Sequence, residues 1–273
     1  MGLIDKIKDI IFLKKIRYFR LKYVCKKKNK VINENALRRA SGYIDPNYSK
    51  LLSMKDLHDG KRCFIVATGP SLTLQDLDLL KNEITFGMNS ICKIYDKTNW
   101  RPTYYGIQDI YVYPKMKELI EMYCKDSSAV FVSDELSELY KIDNNFIKFP
   151  FNSAYHLYEQ HFYNFFSKFS DNAYAQVYDG YSITYSLIQI AVYMGFKEIY
   201  LLGCDCNYIK GEKNHFVESG HIDRLDYLNY DKMITGYKAA DEYAKKNGIK
   251  IINCTRGGML EIFDRIRLED LIN

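Results

Sequence analysis

The residues best suited to chemistry in this chain are polar ones that each close an apolar run. Arg62-Cys-Phe-Ile-Val-Ala-Thr-Gly-Pro-Ser-Leu72 is an apolar, β-branched stretch that stops at a Gly-Pro-Ser turn. A buried parallel strand of this kind would carry backbone N–H groups and a hydroxyl to the mouth of a nucleotide pocket. The turn lacks the Lys-Ser/Thr pair of a P-loop, and it has one glycine where the dinucleotide fingerprint needs three. A plain strand followed by a Pro-Ser helix start explains it as well. Other apolar runs end in the same way: at Asn89, at Gln108-Asp109, at Ser133-Asp134, at Asp205-Cys206-Asn207-Tyr208 and at Thr255-Arg256. Neutral hydrogen-bonding groups dominate this set and lysine is scarce. That suits a base, a ribose and one phosphate better than a triphosphate, which usually needs a lysine and a metal.

Two further groups could act on a ligand held there. Ser182 and Thr184 stand at a helix start, where hydroxyls and N–H groups make an anion site, although a plain N-cap accounts for Ser182 too. His215 and His221 fall in a polar loop after the run that ends at Asp205. Histidine is the natural base near neutral pH and could deprotonate an acceptor hydroxyl. A bystander role for a loop histidine is the plainer reading, and a spacing of six in a loop does not mark a metal pair. His156 and His161 lie in an aromatic-rich segment and read as structural.

The elements that must position these residues follow from the pattern of the chain. Strands are expected at Cys63–Thr68, Thr85–Asn89, Tyr104–Ile107, Ala129–Val132, Glu198–Gly203 and Lys250–Asn253. Helices are expected from Leu74–Lys81, Lys115–Tyr123, Ser182–Met194 and about Tyr230–Asn247, the last closed by Gly248. Strands alternating with helices and ending in polar residues predict an α/β fold: an open, mostly parallel, Rossmann-like sheet flanked by helices. Residues 150–178 are crowded with aromatics and show no clean strand signal; they read as a small helical or irregular lid, with most rings packed in the core. The expected organisation is a basic helix over 1–30, a connector over 31–60 and the nucleotide-binding domain over 61–273.

Composition sets the bounds. A chain of 273 residues, 47% hydrophobic and 27% charged, can bury one large α/β core. Its seven cysteines are odd in number and scattered, which fits core packing in a reducing cytoplasm and neither a disulfide framework nor a zinc site. The net charge of +5 hides an asymmetry, for residues 1–30 hold eleven Lys/Arg against Asp5 and Asp9. Leu3, Ile7, Ile10, Ile11, Phe12, Ile16 and Phe19 are interleaved with these cations. Two readings stand, a helix lying on an anionic membrane surface and a basic helix packed on its own domain. No run is long enough to span a membrane, none reads as a signal peptide, and nucleic-acid binding lacks a second basic stripe.

Arg62–Leu72 with the later Asn89 resembles the nucleotide-binding start of the MptE-like family, the 6-hydroxymethylpterin pyrophosphokinase-like proteins of surface-polysaccharide loci. It is also similar to the related bacterial lipooligosaccharide sialyltransferases, which open with a strand, Gly-x-Gly-Pro-Ser-Leu and a later Asn. This chain departs from them with Ala67-Thr68 in place of a first glycine. Ser182–Tyr208, with its Gly-x-Asp strand end, resembles the sialyltransferase helix and strand. Asn214-His215-Phe216 and Ile252–Phe263 resemble segments of MptE-like proteins.

The resemblance implies a glycosyltransferase of capsule or lipopolysaccharide synthesis that uses a CMP-activated, sialic-acid-like sugar. Thr68, Gly69, Pro70, Ser71 and Asn89 would hold the nucleotide, with Ser182 and Thr184 on cytidine or ribose. Asn207 and Tyr208 would contact the phosphate in place of a metal, so no cofactor is expected. Gln108 and Asp109 occupy the region where that family uses an Asn near the leaving phosphate. The catalytic candidates are His215, His221 and Asp205, with His215 favoured as base. A glycan or lipid-linked glycan is the implied acceptor, at the cytoplasmic face of a membrane, and a homo-oligomer is compatible with the sequence. Two other functions compete: Mg²⁺-dependent diphosphate transfer from ATP to a hydroxymethylpterin, with metal on Asp109, Asp134 or Asp205, and a non-catalytic nucleotide-binding scaffold.

Overall fold

The structure is a computed structural model that describes residues 3–124, 129–207, 216 and 228–272, with side chains from Phe12 onward. Its strands are short and, for the most part, buried on both faces, so they read as apolar runs without alternation. They are β1 (Arg62–Val66), β2 (Thr85–Met88), β3 (Tyr104–Ile107), β4 (Ala129–Ser133), β5 (Ile147–Phe149), β8 (Glu198–Leu202) and β9 (Lys250–Asn253). They form one sheet in the order β5-β4-β3-β2-β1-β8-β9, and every pairing is parallel. A second sheet pairs β6 (Phe151–Asn152) with β7 (Val177–Tyr178).

The chain builds the sheet outward from β1 to β5, then returns to lay β8 and β9 on the other side. The direction of growth therefore reverses between β1 and β8, and a crevice opens at the carboxyl ends of strands at such a point. Register sharpens the effect. Val66 lies opposite Leu202, so Ala67–Gly69 and Gly203–Asp205 leave the sheet side by side.

Two apolar layers cover the sheet. Phe64 and Val66 face one of them, with Leu77 of α3 (Leu74–Leu79), Tyr113, Met116 and Ile120 of α4 (Tyr113–Tyr123), and Leu136 of α5 (Asp134–Leu139). Cys63 and Ile65 face the other, with α6 (Ile183–Tyr193) and α7 (Asn229–Lys246). All of α6 except Val192 is buried, as expected of a helix that is apolar around its whole circumference. It comes close to the sheet at Gly106, where a Cβ would stand 2.8 Å from Leu187 Cδ2.

The first helix, α1 (Leu3–Ala40), runs ten residues beyond the expected boundary at residue 30 and takes in the first part of the expected connector. Good helix formers continue to Arg38-Arg39-Ala40, and the break comes at Ser41-Gly42, where Gly42 takes φ +99°. A short helix α2 (Ser49–Leu52) follows. The second half of α1 is bound into the domain. Cys25 and Ala36 are buried, Asn29 Oδ1 accepts from Asn152 Nδ2 at 3.0 Å, and the Arg39 guanidinium donates twice to the Ala175 carbonyl at 3.1 and 2.7 Å.

The aromatic segment differs from the helical or irregular expectation by containing the two strands β6 and β7. Each has two residues and their partners lie far apart in the chain, so no local period betrays them. Between them the backbone is largely irregular, with a single short 3₁₀ turn at Glu159–Phe162. It packs on α7, where Phe169 stacks on Tyr243 with ring centroids 4.5 Å apart and Ser167 meets Thr235 at 3.0 Å.

Candidate functional site

A cleft opens in the crevice at the β1/β8 reversal, lined by residues from both sides of it. Thr68 and Gly69 follow β1, Met88 ends β2 and Asn89 follows it, and Gly203 to Asn207 follow β8. Ser182, Ile183 and Thr184 enter from the start of α6, and Met233 and Tyr237 from α7. Of the expected residues, Thr68, Gly69, Asn89, Ser182, Thr184, Asp205 and Asn207 thus line one cleft. Asp205 is the only charged side chain among the described lining residues.

Pro70 and Ser71 continue the turn behind this lining, and the turn works inward. Gly69 N–H donates to the Gly203 carbonyl at 2.8 Å, and the Ser71 hydroxyl donates to Asp205 Oδ2 at 2.8 Å. The expected display of free N–H groups and a hydroxyl to a phosphate is therefore corrected for these two residues. Their donors lock β1 to β8 and hold the Asp205 carboxylate. Asp205 is 8% exposed; its burial pushes the carboxyl pKa up, and the Ser71 hydrogen bonds oppose that shift. Close packing explains the glycines around it. A Cβ on Gly69 would lie 1.9 Å from Asp205 Oδ2 and 2.4 Å from the Gly203 carbonyl oxygen. Gly258, at φ +75°, passes so near that a Cβ would stand 2.6 Å from the Asp205 carbonyl oxygen.

Two non-glycine residues on the cleft wall hold left-handed backbone, Asn89 at φ +48° and Cys206 at φ +51°, and Tyr181 just before Ser182 does so at +65°. Such conformations cost on the order of 1–3 kcal/mol each and gather at ligand sites. The Tyr105 hydroxyl donates to the Asn89 carbonyl and so fixes that turn. Asn89 Oδ1 is buried with no hydrogen-bond partner among the described residues. Ser182 caps α6 by accepting from Thr184 N–H at 3.2 Å, so its plain structural reading holds alongside its place on the wall. The Thr184 hydroxyl turns to Met88 Sδ at 3.3 Å.

Other strand-end residues are not brought in. Gln108 Oε1 accepts from Ser186 at 2.6 Å, and Asp109 Oδ1 accepts from Tyr111 and Val112 N–H at 2.7 and 3.1 Å. Asp109 therefore shapes the turn into α4, and neither residue lines the cleft. In the sheet, β3 lies beyond β2 from the reversal between β1 and β8. Arg256 is spent on Asp76 at 2.6 Å and Glu269 at 2.7 Å. The Thr255 hydroxyl accepts from Cys204 N–H at 3.0 Å. Asp134 takes a hydrogen bond from the Tyr48 hydroxyl at 2.8 Å and another from Phe151 N–H at 3.1 Å.

Tyr208, His215 and His221 lie outside the described residues. The residue after His215 is described, and Phe216 N–H donates to the Thr68 carbonyl at 2.6 Å on the cleft wall. Among the described residues, none of 150–178 lines the cleft. Sequence reasoning missed Met233 and Tyr237, one turn apart on α7. The signal was Gly236 between them, a mid-helix glycine that lets α7 approach until a Cβ would stand 3.1 Å from the Gly180 carbonyl oxygen. All seven cysteines are free and buried, in keeping with packing roles.

A family model described as 6-hydroxymethylpterin diphosphokinase MptE-like matches residues 35–211, a span that carries β1 through β8 and most of the cleft wall. The chain belongs to the MptE-like family. Two solved structures are similar to this MptE-like chain in trace. One is the MAf glycosyltransferase from Magnetospirillum magneticum AMB-1, with 16% identity, a TM-score of 0.49, and coverage of 82% of this chain and 38% of that one. The chain thus spans well under half the length of that protein. The other is the sialyltransferase CstII from Campylobacter jejuni, in complex with a substrate analogue, cytidine-5'-monophosphate. It has 15% identity, a TM-score of 0.43, and coverage of 76% of this chain and 85% of that one. No curated protein matches the sequence.

Proposed function

We propose that this MptE-like protein is a glycosyltransferase that takes a CMP-activated, sialic-acid-like sugar and passes it to a surface-polysaccharide acceptor without a metal. One observation carries the reading: Thr68, Asn89, Ser182, Thr184 and Asn207 meet at the sheet reversal in a cleft whose described lining holds no lysine or arginine. Neutral donors and acceptors suit a cytosine, a ribose and a single phosphate, whereas a triphosphate calls for concentrated positive charge. Asn89 Oδ1, lacking a partner, would accept from the cytosine amine or a ribose hydroxyl. Ser182 and Thr184 would face the ribose, and Asn207 and Tyr208 the phosphate.

Transfer would be a direct displacement. His215, or His221 in its place, removes the proton of an acceptor hydroxyl as that oxygen attacks the anomeric carbon. The bond to the CMP oxygen breaks on the opposite side, so the configuration inverts. Hydrogen bonds to the departing phosphate stabilise the charge that develops there. Asp205 supports this wall through Ser71. The anchoring of Phe216 on Thr68 favours His215 over His221.

The family's own description favours a second reading, Mg²⁺-dependent diphosphate transfer from ATP to a hydroxymethylpterin. The rim offers Asp205 as its single described carboxylate and no described lysine or arginine. Thermal-shift measurements with CMP, CDP, UDP, GDP and ATP, each with and without Mg²⁺, separate the two. Stabilisation by CMP in the absence of metal is expected; stabilisation by ATP alone, and only with Mg²⁺, would replace the proposal with the second reading.

A further inference from the structure

Among the described residues, several exposed large apolar side chains gather on α1. Phe12, Ile16, Phe19 and Tyr23 are 63%, 48%, 63% and 69% exposed, and their spacing of four, three and four places them on one helix face. The surface continues onto the aromatic segment. Tyr18 packs edge-on against Phe162 with ring centroids 4.7 Å apart, and Phe162 and Tyr163 are themselves 60% and 62% exposed. Exposed aromatic and branched side chains so arranged mark an interaction surface.

Charge narrows the partner. Residues 10–33 contain nine Lys/Arg and no Asp or Glu. Lys14, Lys15, Arg17, Arg20, Lys26 and Lys27 are exposed and make no ion pair among the described residues. A second copy would set this unrelieved positive charge against its own kind. A nucleic acid would meet the cations and leave the phenylalanine and isoleucine stripe unused. An acidic lipid bilayer satisfies both halves, taking the apolar stripe below the headgroups and the cations among them.

We infer that the Phe12–Tyr23 face of α1, together with Phe162 and Tyr163, docks on the surface of an anionic membrane. The inference goes beyond the donor proposed for the cleft and does not depend on it. It also gives the aromatic segment a task. From Phe162 this segment runs back to His156, which is fully buried, stacks on Tyr181 at 4.5 Å and meets Asp179 Oδ2 at 2.9 Å. Tyr181 adjoins Ser182 on the cleft wall, so the docking surface and the cleft share one packed element.

Sedimentation of the full chain with vesicles tests this directly. Binding to phosphatidylcholine vesicles containing phosphatidylglycerol should exceed binding to phosphatidylcholine alone by at least about tenfold and should fall steeply with salt. Phe12→Ser with Phe19→Ser, and separately Lys14→Glu with Lys15→Glu and Arg17→Glu, should each abolish most of it while leaving the circular dichroism spectrum and the melting transition unchanged. Failure of the wild-type chain to bind either vesicle overturns the inference, as does equal, salt-insensitive binding to both. Self-association lost in the serine variant, without vesicle binding, would assign the stripe to helix pairing. Nucleic-acid binding without vesicle binding would assign the cations elsewhere. Vesicle binding is read without nucleotide, so its failure leaves the reading of the cleft untouched.

Discussion

Gly69 shows how little freedom the cleft wall has. Its missing side chain lets β1 and β8 exchange a backbone hydrogen bond beside the Asp205 carboxylate. Gly69→Ala puts a methyl against a backbone carbonyl that cannot yield, so nucleotide-dependent stabilisation should disappear while the far end of the sheet persists; thermal shift with and without CMP reads this. Ser71→Ala is milder, removing one hydrogen bond to a buried carboxylate at a cost of about 1.5–3 kcal/mol, visible as a lower urea midpoint. Asp134 offers a pH signature. Burial pushes its pKa up to about 6, against hydrogen bonds from Tyr48 and Phe151 N–H. A carboxyl whose folded pKa is raised favours the folded state when protonated, so its contribution is complete below its ordinary pKa near 4. That contribution is lost as pH rises to about 6. The stability of wild type relative to Asp134→Asn should therefore fall by roughly 2–3 kcal/mol between pH 4 and pH 6, and hold level on either side in urea titrations. Residue identity was legible here: Thr68, Asn89, Ser182, Thr184 and Asp205 were all readable as strand-end or helix-start polar groups. Whether a polar strand end turns toward the cleft or is spent locally was not, because that depends on partners such as Ser186 for Gln108 and Glu269 for Arg256.

Among the elements, α6 carries the arrangement. It packs on the sheet at Gly106 and presents Ser182 and Thr184 to the cleft from its first turn. Its entry is held by the buried His156, whose two ring nitrogens meet the Phe166 carbonyl at 2.7 Å and Asp179 at 2.9 Å. His156→Phe keeps a ring but takes a partner from both the Phe166 carbonyl and the Asp179 carboxylate, and should cost about 1–3 kcal/mol, the usual penalty for leaving a buried polar group unpaired; denaturant unfolding measures it. The strands β3 and β9 and the bodies of α6 and α7 follow the apolar pattern of the sequence closely, since continuous burial leaves a strong local imprint. The paired β6 and β7 leave none, because two-residue strands depend on a neighbour 26 residues away for Phe151 and Val177 alike. The C-terminal reach of α1 was also hidden, as its stop is set by Gly42 and by docking of Arg39 on Ala175.

Over the whole molecule, the order of the strands decides which residues can cooperate. A parallel sheet brings every carboxyl end to one side, and the reversal between β1 and β8 is where a crevice opens for a ligand. Residues at β3, β4 and β9 therefore serve turns, caps and ion pairs, whereas those at β1, β2 and β8 build the cleft. The polar rim was readable from the chain, and the selection within it required the topology. Calorimetric titration of the full chain with CMP in the presence of EDTA tests the reading of that cleft most directly. One saturable site, lost in Gly69→Ala, is the expected result; no heat from CMP, with saturable binding of ATP only once Mg²⁺ is restored, would contradict it.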